Sequence, residues 1–108
     1  MKQDSIQSDV TIRMQTQDNE SVIIHVQGPL CFATVPAAYQ QTKKCFDGQR
    51  EVRVDLANVQ RSDSAALALV LEWQRLANET GATLILQNIP SMLQNIARIS
   101  DLEEMLPA

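Results

Sequence analysis

Residues 52–71 read V-R-V-D-L-A-N-V-Q-R-S-D-S-A-A-L-A-L-V-L. The first part alternates apolar and polar residues, which predicts a half-buried β-strand over residues 51–56. The last part begins with Asp63-Ser64 and continues as an apolar run, which predicts a helix over 64–80 that is closed by Gly81. A strand that enters a helix through a polar turn is the repeating unit of α/β folds. This stretch therefore predicts an α/β domain.

The turn at Asp63-Ser64 places polar side chains beside backbone N–H groups that have no partner within the helix. Ser62, Asp63 or Ser64 can act as an N-cap, which stabilises a helix by about 1 kcal/mol. The same position favours a phosphate on Ser64 through the helix dipole, although the adjacent Asp63 opposes the added charge. Contact between the Ser64 hydroxyl and a partner protein is the third interpretation. The turn alone leaves all three open.

The helix behind the turn has more apolar residues than a simple core stripe needs. Spacings of three and four predict a buried stripe of Ala66, Leu69, Val70, Trp73, Leu76, Ala77 and Thr80. Leu67 and Leu71 lie outside that stripe. They either flank a wide buried face or form an apolar docking patch beside Ser64, where the small Ala65 and Ala68 let a partner backbone come close.

The rest of the chain repeats the alternation of strands and helices. Further strands are predicted over residues 10–15, 21–27 and 82–87, and further helices over 35–46 and 91–99. Thr34 is expected to cap the first helix, and Gly28-Pro29-Leu30 to end the second strand. The order β-β-α-β-α-β-α indicates a four-stranded mixed sheet with helices packed on it, in which strands two to four are parallel and the first is antiparallel. Residues 1–9 are expected to be a flexible lead, and residues 10–108 a single domain.

Composition narrows the class of protein. The chain has 108 residues, of which 44% are hydrophobic and 20% charged, as in a small soluble domain with its own core. A net charge of −4, with no basic cluster beyond Lys43-Lys44, argues against nucleic acid as a partner. Residues 1–9 contain no signal-peptide core, and the longest apolar run, residues 65–71, is too short to span a membrane. We expect a cytoplasmic protein without direct membrane insertion.

No motif indicates catalysis or metal binding. A triad of Ser64, His25 and Asp55 can be written down, but no G-x-S-x-G elbow supports it and the histidine lies in the middle of a strand. One histidine with the separated Cys31 and Cys45 gives no metal-ligand spacing. No glycine-rich loop for a nucleotide is present. We therefore expect a protein that is not an enzyme and that has no metal or cofactor.

Two motifs resemble the STAS domain family, which is named for sulphate transporters and anti-sigma factor antagonists. The first motif is Val54-Asp55-Leu56, followed by Val59 and then by Asp63-Ser64-Ala65-Ala66-Leu67. The second is the Gly28-Pro29-Leu30 turn after the second strand. Together with the element order, the resemblance extends over residues 10–106 and implies a STAS fold.

Within this family the chain is similar to the small stand-alone subunits of phospholipid-transporting ABC complexes that maintain outer-membrane lipid asymmetry. That similarity implies a non-catalytic protein that binds the ATPase subunit, within a complex with its permease, and supports assembly and activity. Such a protein is peripheral to the inner membrane through the complex. The contact residues implied are Asp63, Ser64, Ala65, Leu67, Ala68 and Leu71. The alternative from the same family is an anti-sigma factor antagonist regulated by phosphorylation of Ser64.

Overall fold

The computed structural model describes residues 9–106, except the side chain of Met105. Nearly all of the predicted lead, residues 1–9, therefore lies outside the described residues. The strands are β1 (Thr11–Thr16), β2 (Ser21–Leu30), β3 (Glu51–Ser62) and β4 (Thr83–Gln87). The helices are α1 (Val35–Thr42), α2 (Ser64–Thr80) and α3 (Ser91–Ile99), with short 3-10 turns at Lys43–Phe46 and Glu103–Met105.

The four strands form one mixed sheet in the order β1-β2-β3-β4. β1 is antiparallel to β2, whereas β2, β3 and β4 are parallel to one another. This confirms the predicted topology. Right-handed crossovers that add strands in one direction place their helices on the same face of a sheet.

The core lies between the helices and one face of the sheet. Alternate residues of the strands are buried there: Val22, Ile24 and Val26 of β2, Val52, Val54 and Leu56 of β3, and Leu84 and Leu86 of β4. From α2, the fully buried Trp73 donates its indole N–H to the Thr42 hydroxyl oxygen at 2.8 Å. Because a buried N–H without an acceptor is costly, this bond helps to fix α2 against α1.

β2 and β3 continue beyond the predicted ends at Gln27 and Leu56. The expectation that Gly28-Pro29-Leu30 ends β2 is wrong: Gly28 pairs with Val59, and Leu30 with Ser62. The pairing continues because the register shifts on either side of Gly28, as in a β-bulge. Gly28 has φ +101, and a Cβ there would lie 2.6 Å from the Asp9 carbonyl oxygen. Glycine is therefore required where the strand bends past residue 9.

The wide buried face of α2 corrects two further expectations. Thr80 is exposed and lies outside the core, whereas Leu67 is 5% exposed and belongs to it. α2 contacts both α1 and α3 in addition to the sheet, so its buried stripe is broader than one neighbour would require. None of the described helices is both long enough and apolar enough to cross a membrane.

Gly28→Ala should lower the free energy of unfolding by about 2–4 kcal/mol, since it combines backbone strain with a backbone clash. Gly48→Ala is the matched control. Gly48 also has a positive φ, +75, but a Cβ there meets nothing within 4 Å. Its cost should therefore be about 1 kcal/mol. Urea unfolding followed by circular dichroism measures both, and equal losses would contradict the close approach at Gly28.

Candidate functional site

The predicted contact residues lie where β3 passes into α2. Asp63 is the N-cap of α2: its Oδ1 accepts a hydrogen bond from the Ala65 N–H at 2.8 Å. Its Oδ2 accepts from the Phe32 N–H at 3.1 Å, and its own N–H donates to the Leu30 carbonyl at 3.2 Å. One aspartate thus fixes both the start of α2 and the loop that follows β2. Of the three predicted cap candidates, Asp63 performs the role.

The Ser64 side chain, in contrast, does not stabilise the turn. It is the first residue of α2, its side chain is exposed, and its hydroxyl makes no hydrogen bond to any residue in the described range 9–106. The N–H groups of Ala65 and Ala66 already donate to Asp63, at 2.8 Å to its side chain and 2.9 Å to its carbonyl. A phosphate on Ser64 would therefore find fewer free donors than an uncapped helix offers, and it would lie next to a carboxylate.

The exposed part of the contact set forms a continuous surface on α2. Ala68 is exposed, while Ala65 and Leu71 are half-buried. Ser64, Ala68 and Leu71 follow one another at i, i+4 and i+7, the spacing of a single helix face. We call Ser64, Ala65, Ala68 and Leu71 the motif face. Leu67, which the sequence also placed in the contact set, is excluded from this surface by its burial in the core.

A groove beside the motif face was not predicted. Two large apolar side chains border it: Phe32, in the loop after β2, is 85% exposed, and Met92, in the first turn of α3, is 55% exposed. The groove has a volume of about 460 Å³, and its other lining residues are Cys31, Ala33, Arg61, Ser62 and Asp63. The buried face of α3 is formed by Leu93 and Ala97, so Met92 lies outside it. The one sequence signal for Phe32 is an aromatic residue two positions after the Gly28-Pro29-Leu30 motif.

Thr34 organises the loop that bears Phe32. It was expected to cap α1 with its side chain, but it makes no such bond. Instead its buried hydroxyl donates to the Pro29 carbonyl at 2.7 Å and accepts from the Cys31 N–H at 3.0 Å. Interaction with the same hydroxyl lowers the pKa of the Cys31 thiol from its ordinary value. The loop is therefore held by hydrogen bonds to two side chains, those of Thr34 and Asp63.

The residues of the hypothetical triad are not brought together. His25 and Asp55 are partners in the β2–β3 register, and the His25 Nδ1 lies 3.5 Å from the Asp55 Oδ2. Both alternate with core residues, so they point to the face away from the helices. With a rise of about 3.3 Å per residue, β3 separates Asp55 from the start of α2 by roughly 20 Å. Ser64 is out of reach of this pair.

The His25–Asp55 pair belongs to a polar network across the sheet. The His25 Nε2 lies 3.1 Å from the Gln15 Oε1, and the Asn88 side-chain amide donates to the Asp55 Oδ1 at 2.9 Å. The Asn88 hydrogen bond is the main cause of a lowered pKa for Asp55. No group of three or more His, Cys, Asp and Glu side chains in residues 9–106 is arranged to hold a metal ion.

The division of roles between Asp63 and Ser64 predicts unequal effects on stability. Asp63→Ala removes the cap and the bond to Phe32, so the free energy of unfolding should fall by about 1–2 kcal/mol. Ser64→Ala removes an exposed hydroxyl without a partner and should change it by less than about 0.5 kcal/mol. Chemical denaturation of the two variants tests this. A larger loss for Ser64→Ala would mean that Ser64 is the cap.

The lowered pKa of Asp55 predicts a pH-dependent contribution to stability. A carboxyl whose pKa is lower in the folded state stabilises the protein above its unfolded pKa, and this contribution disappears as the pH falls through the folded pKa. Asp55→Asn should therefore be less stable than the natural protein near neutral pH, with the difference shrinking below about pH 4. Thermal melts across pH measure this, with Asp47→Asn, at an exposed carboxyl, as the control. A difference that stayed constant with pH would contradict it.

Several solved structures share this fold. The anti-sigma factor antagonist SpoIIAA in its unphosphorylated form is similar at 17% identity, with a TM-score of 0.71, and the match covers 89% of this chain and 85% of that chain. An anti-sigma factor antagonist from Mycobacterium paratuberculosis is similar at 20% identity, also with a TM-score of 0.71, covering 91% and 83%. The murine anion transporter Slc26a9 is similar at 15% identity, with a TM-score of 0.65, but the match covers 83% of this chain and only 18% of the transporter. At these identities the likeness establishes the fold alone.

The sequence itself identifies the family. No curated protein matches the chain significantly. The family model described as "Mlab, STAS domain" matches residues 13–107. These residues include the Gly28-Pro29-Leu30 turn, the Asp63-Ser64 motif and all three helices. The protein therefore belongs to the STAS domain family.

Proposed function

We propose that this chain is an MlaB-type subunit, a non-catalytic STAS protein that binds the MlaF-like ATPase subunit of a phospholipid-transporting ABC complex. In that role it supports the assembly and activity of the ATPase and its permease, and so the maintenance of outer-membrane lipid asymmetry. The protein would be cytoplasmic and peripheral to the inner membrane through the complex. The motif face is the observation on which the proposal rests, and the match to the MlaB-type family model supports this branch of the family.

The chemistry of the motif face suits a protein contact. Ala65 and Ala68 have short side chains that let a partner backbone approach α2 closely. Leu71 is half-buried and does not belong to the core cluster, so it offers apolar area to a partner. The Ser64 hydroxyl can donate or accept a hydrogen bond because the fold does not use it. A subunit that binds one state of an ATPase better than the others shifts the complex toward that state, which requires no catalytic group of its own.

The alternative function is an anti-sigma factor antagonist in which phosphorylation of Ser64 ejects the partner. The exposure of Ser64 at a helix N-terminus favours it, because a kinase can reach the hydroxyl. The neighbouring Asp63 carboxylate and the N–H groups already bound to it weigh against a stably held phosphate. Docking therefore agrees better with the local geometry.

Affinity purification of the tagged full-length protein from its native host tests the proposal. We expect an ABC ATPase and its permease to be recovered. Leu71→Asp should abolish this recovery without unfolding the domain, because it places a charge on the apolar part of the motif face. Asn78→Asp is the control: it introduces the same charge at an exposed position near the other end of α2. Recovery of a serine kinase in place of the ATPase would contradict the proposal.

Substitutions of Ser64 separate the two functions. A docking hydroxyl should tolerate Ser64→Thr and, in part, Ser64→Ala. For a kinase substrate, Ser64→Ala would remove the modification entirely, and intact-mass spectrometry of the protein from its host would show phosphate on Ser64. Full phosphorylation coupled to release of the partner would establish the antagonist function instead.

A further inference from the structure

We infer that the groove between Phe32 and Met92 receives an apolar side chain of the ATPase partner, with a carboxylate of that partner beside it on Arg61. We call it the Phe32–Met92 groove. The inference rests on the proposed function and extends the contact surface beyond α2. It adds three residues to the contact set that neither the motif nor the helix periodicity indicates: Phe32, Met92 and Arg61.

Exposed apolar area is the first support. Phe32 and Met92 are two of the four large hydrophobic residues that the structure leaves exposed in the described part of the chain, and both line one groove. Covering exposed apolar side chains with a partner is favourable, because it removes apolar surface from water. Neighbouring exposed apolar residues rimmed by polar ones are typical of interaction sites. A volume of about 460 Å³ has room for a large side chain.

The groove is held in shape before any partner arrives. The Asp63 carboxylate binds the Phe32 N–H, and the Thr34 hydroxyl binds the Pro29 carbonyl. Both bonds restrain the loop between β2 and α1. A loop that is already ordered loses less entropy on binding, so its apolar contacts contribute more to affinity.

Charge indicates the chemistry of the occupant. Arg61 lines the groove, is exposed, and makes no ion pair within residues 9–106. Asp63, the nearest acidic residue of the groove, already accepts hydrogen bonds from Ala65 and Phe32 through its two carboxylate oxygens. The charge left for a partner is therefore positive, and its complement is a carboxylate. The net charge of −4 opposes approach to an extended anionic membrane surface.

The groove and the motif face adjoin at Asp63. One of its carboxylate oxygens caps α2 and the other holds Phe32, so the two surfaces meet at this residue. A single protein partner can therefore cover both at once, with α2 supplying the broad contact and the groove an anchoring pocket.

The test is the affinity of the purified full chain for the purified ATPase subunit of the phospholipid transporter from the same host, measured by biolayer interferometry. Phe32→Ala and Met92→Ala should each weaken binding roughly tenfold or more. Met14→Ala is the matched control, because Met14 is a methionine of nearly equal exposure, 53%, on β1. It should change affinity by less than about twofold. Arg61→Glu should weaken binding, whereas Arg13→Glu, the same charge change at an exposed position of β1, should not.

The possible results distinguish this inference from the proposed function. If the natural protein binds the ATPase and both Phe32→Ala and Met92→Ala bind equally well with unchanged melting temperatures, the groove is not an anchor and the motif face stands alone. If the natural protein does not bind the ATPase, both proposals fail. Light scattering tests whether a second copy of the chain occupies the groove. A dimer that Phe32→Ala converts to a monomer would assign the groove to that second copy and overturn the inference.

Discussion

The site depends on the parallel pairing of β2 and β3 along their whole length. Because Leu30 pairs with Ser62 at the last position, the loop after β2 and the turn after β3 leave the sheet side by side. The single side chain of Asp63 can therefore bind both the loop and the turn, by accepting hydrogen bonds from the N–H groups of Phe32 and Ala65. The bulge at Gly28 makes this possible, since a strand that ended there would leave Phe32 without a fixed position beside α2.

Local signals and tertiary contacts account for different parts of this structure. Both α2 and α3 have the predicted bounds, because their apolar periodicity and the terminal Gly81 act within a few residues of sequence. The end of β2 was mispredicted because glycine followed by proline usually stops a strand. Here the neighbouring strand continues and provides pairing partners for both sides of the bulge. A register shift of this kind is decided by the strand next to it and cannot be read from the segment itself.

The same distinction explains the candidate site. The Asp-Ser motif could be found from sequence because a cap and the helix behind it are adjacent in the chain. The burial of Leu67 could not, since it depends on α1 and α3 lying on both sides of α2. The exposure of Phe32 and Met92 could not be predicted from sequence either, because these residues come from distant parts of the chain and meet only through the fold. Sequence therefore located the centre of the candidate site, and tertiary structure defined its edges.

Under the proposed function, stability and partner recognition fall on neighbouring residues with little overlap. Asp63 and Leu67 hold the helix in place, whereas Ser64 and Ala68 contribute little to the core and face outward. A protein built in this way can change its partner contacts without losing its fold. The face of the sheet away from the helices shows a similar division of roles. Its polar network around His25 and Asp55 uses residues that alternate with the core.

The topology of the sheet also sets the order in which the chain can fold. The β1–β2 hairpin joins neighbouring segments and can form within microseconds, whereas β2 meets β3 only after the chain has closed around α1. Closing such loops is the slow, entropically costly step for parallel strands. Leu30 and Ser62 are the last pair of this register, so the turn that presents Ser64 has its folded geometry only when the two strands are paired to that end. A partner that recognises this end of the sheet would therefore bind the folded protein and would not bind chains in which β2 and β3 are not yet paired.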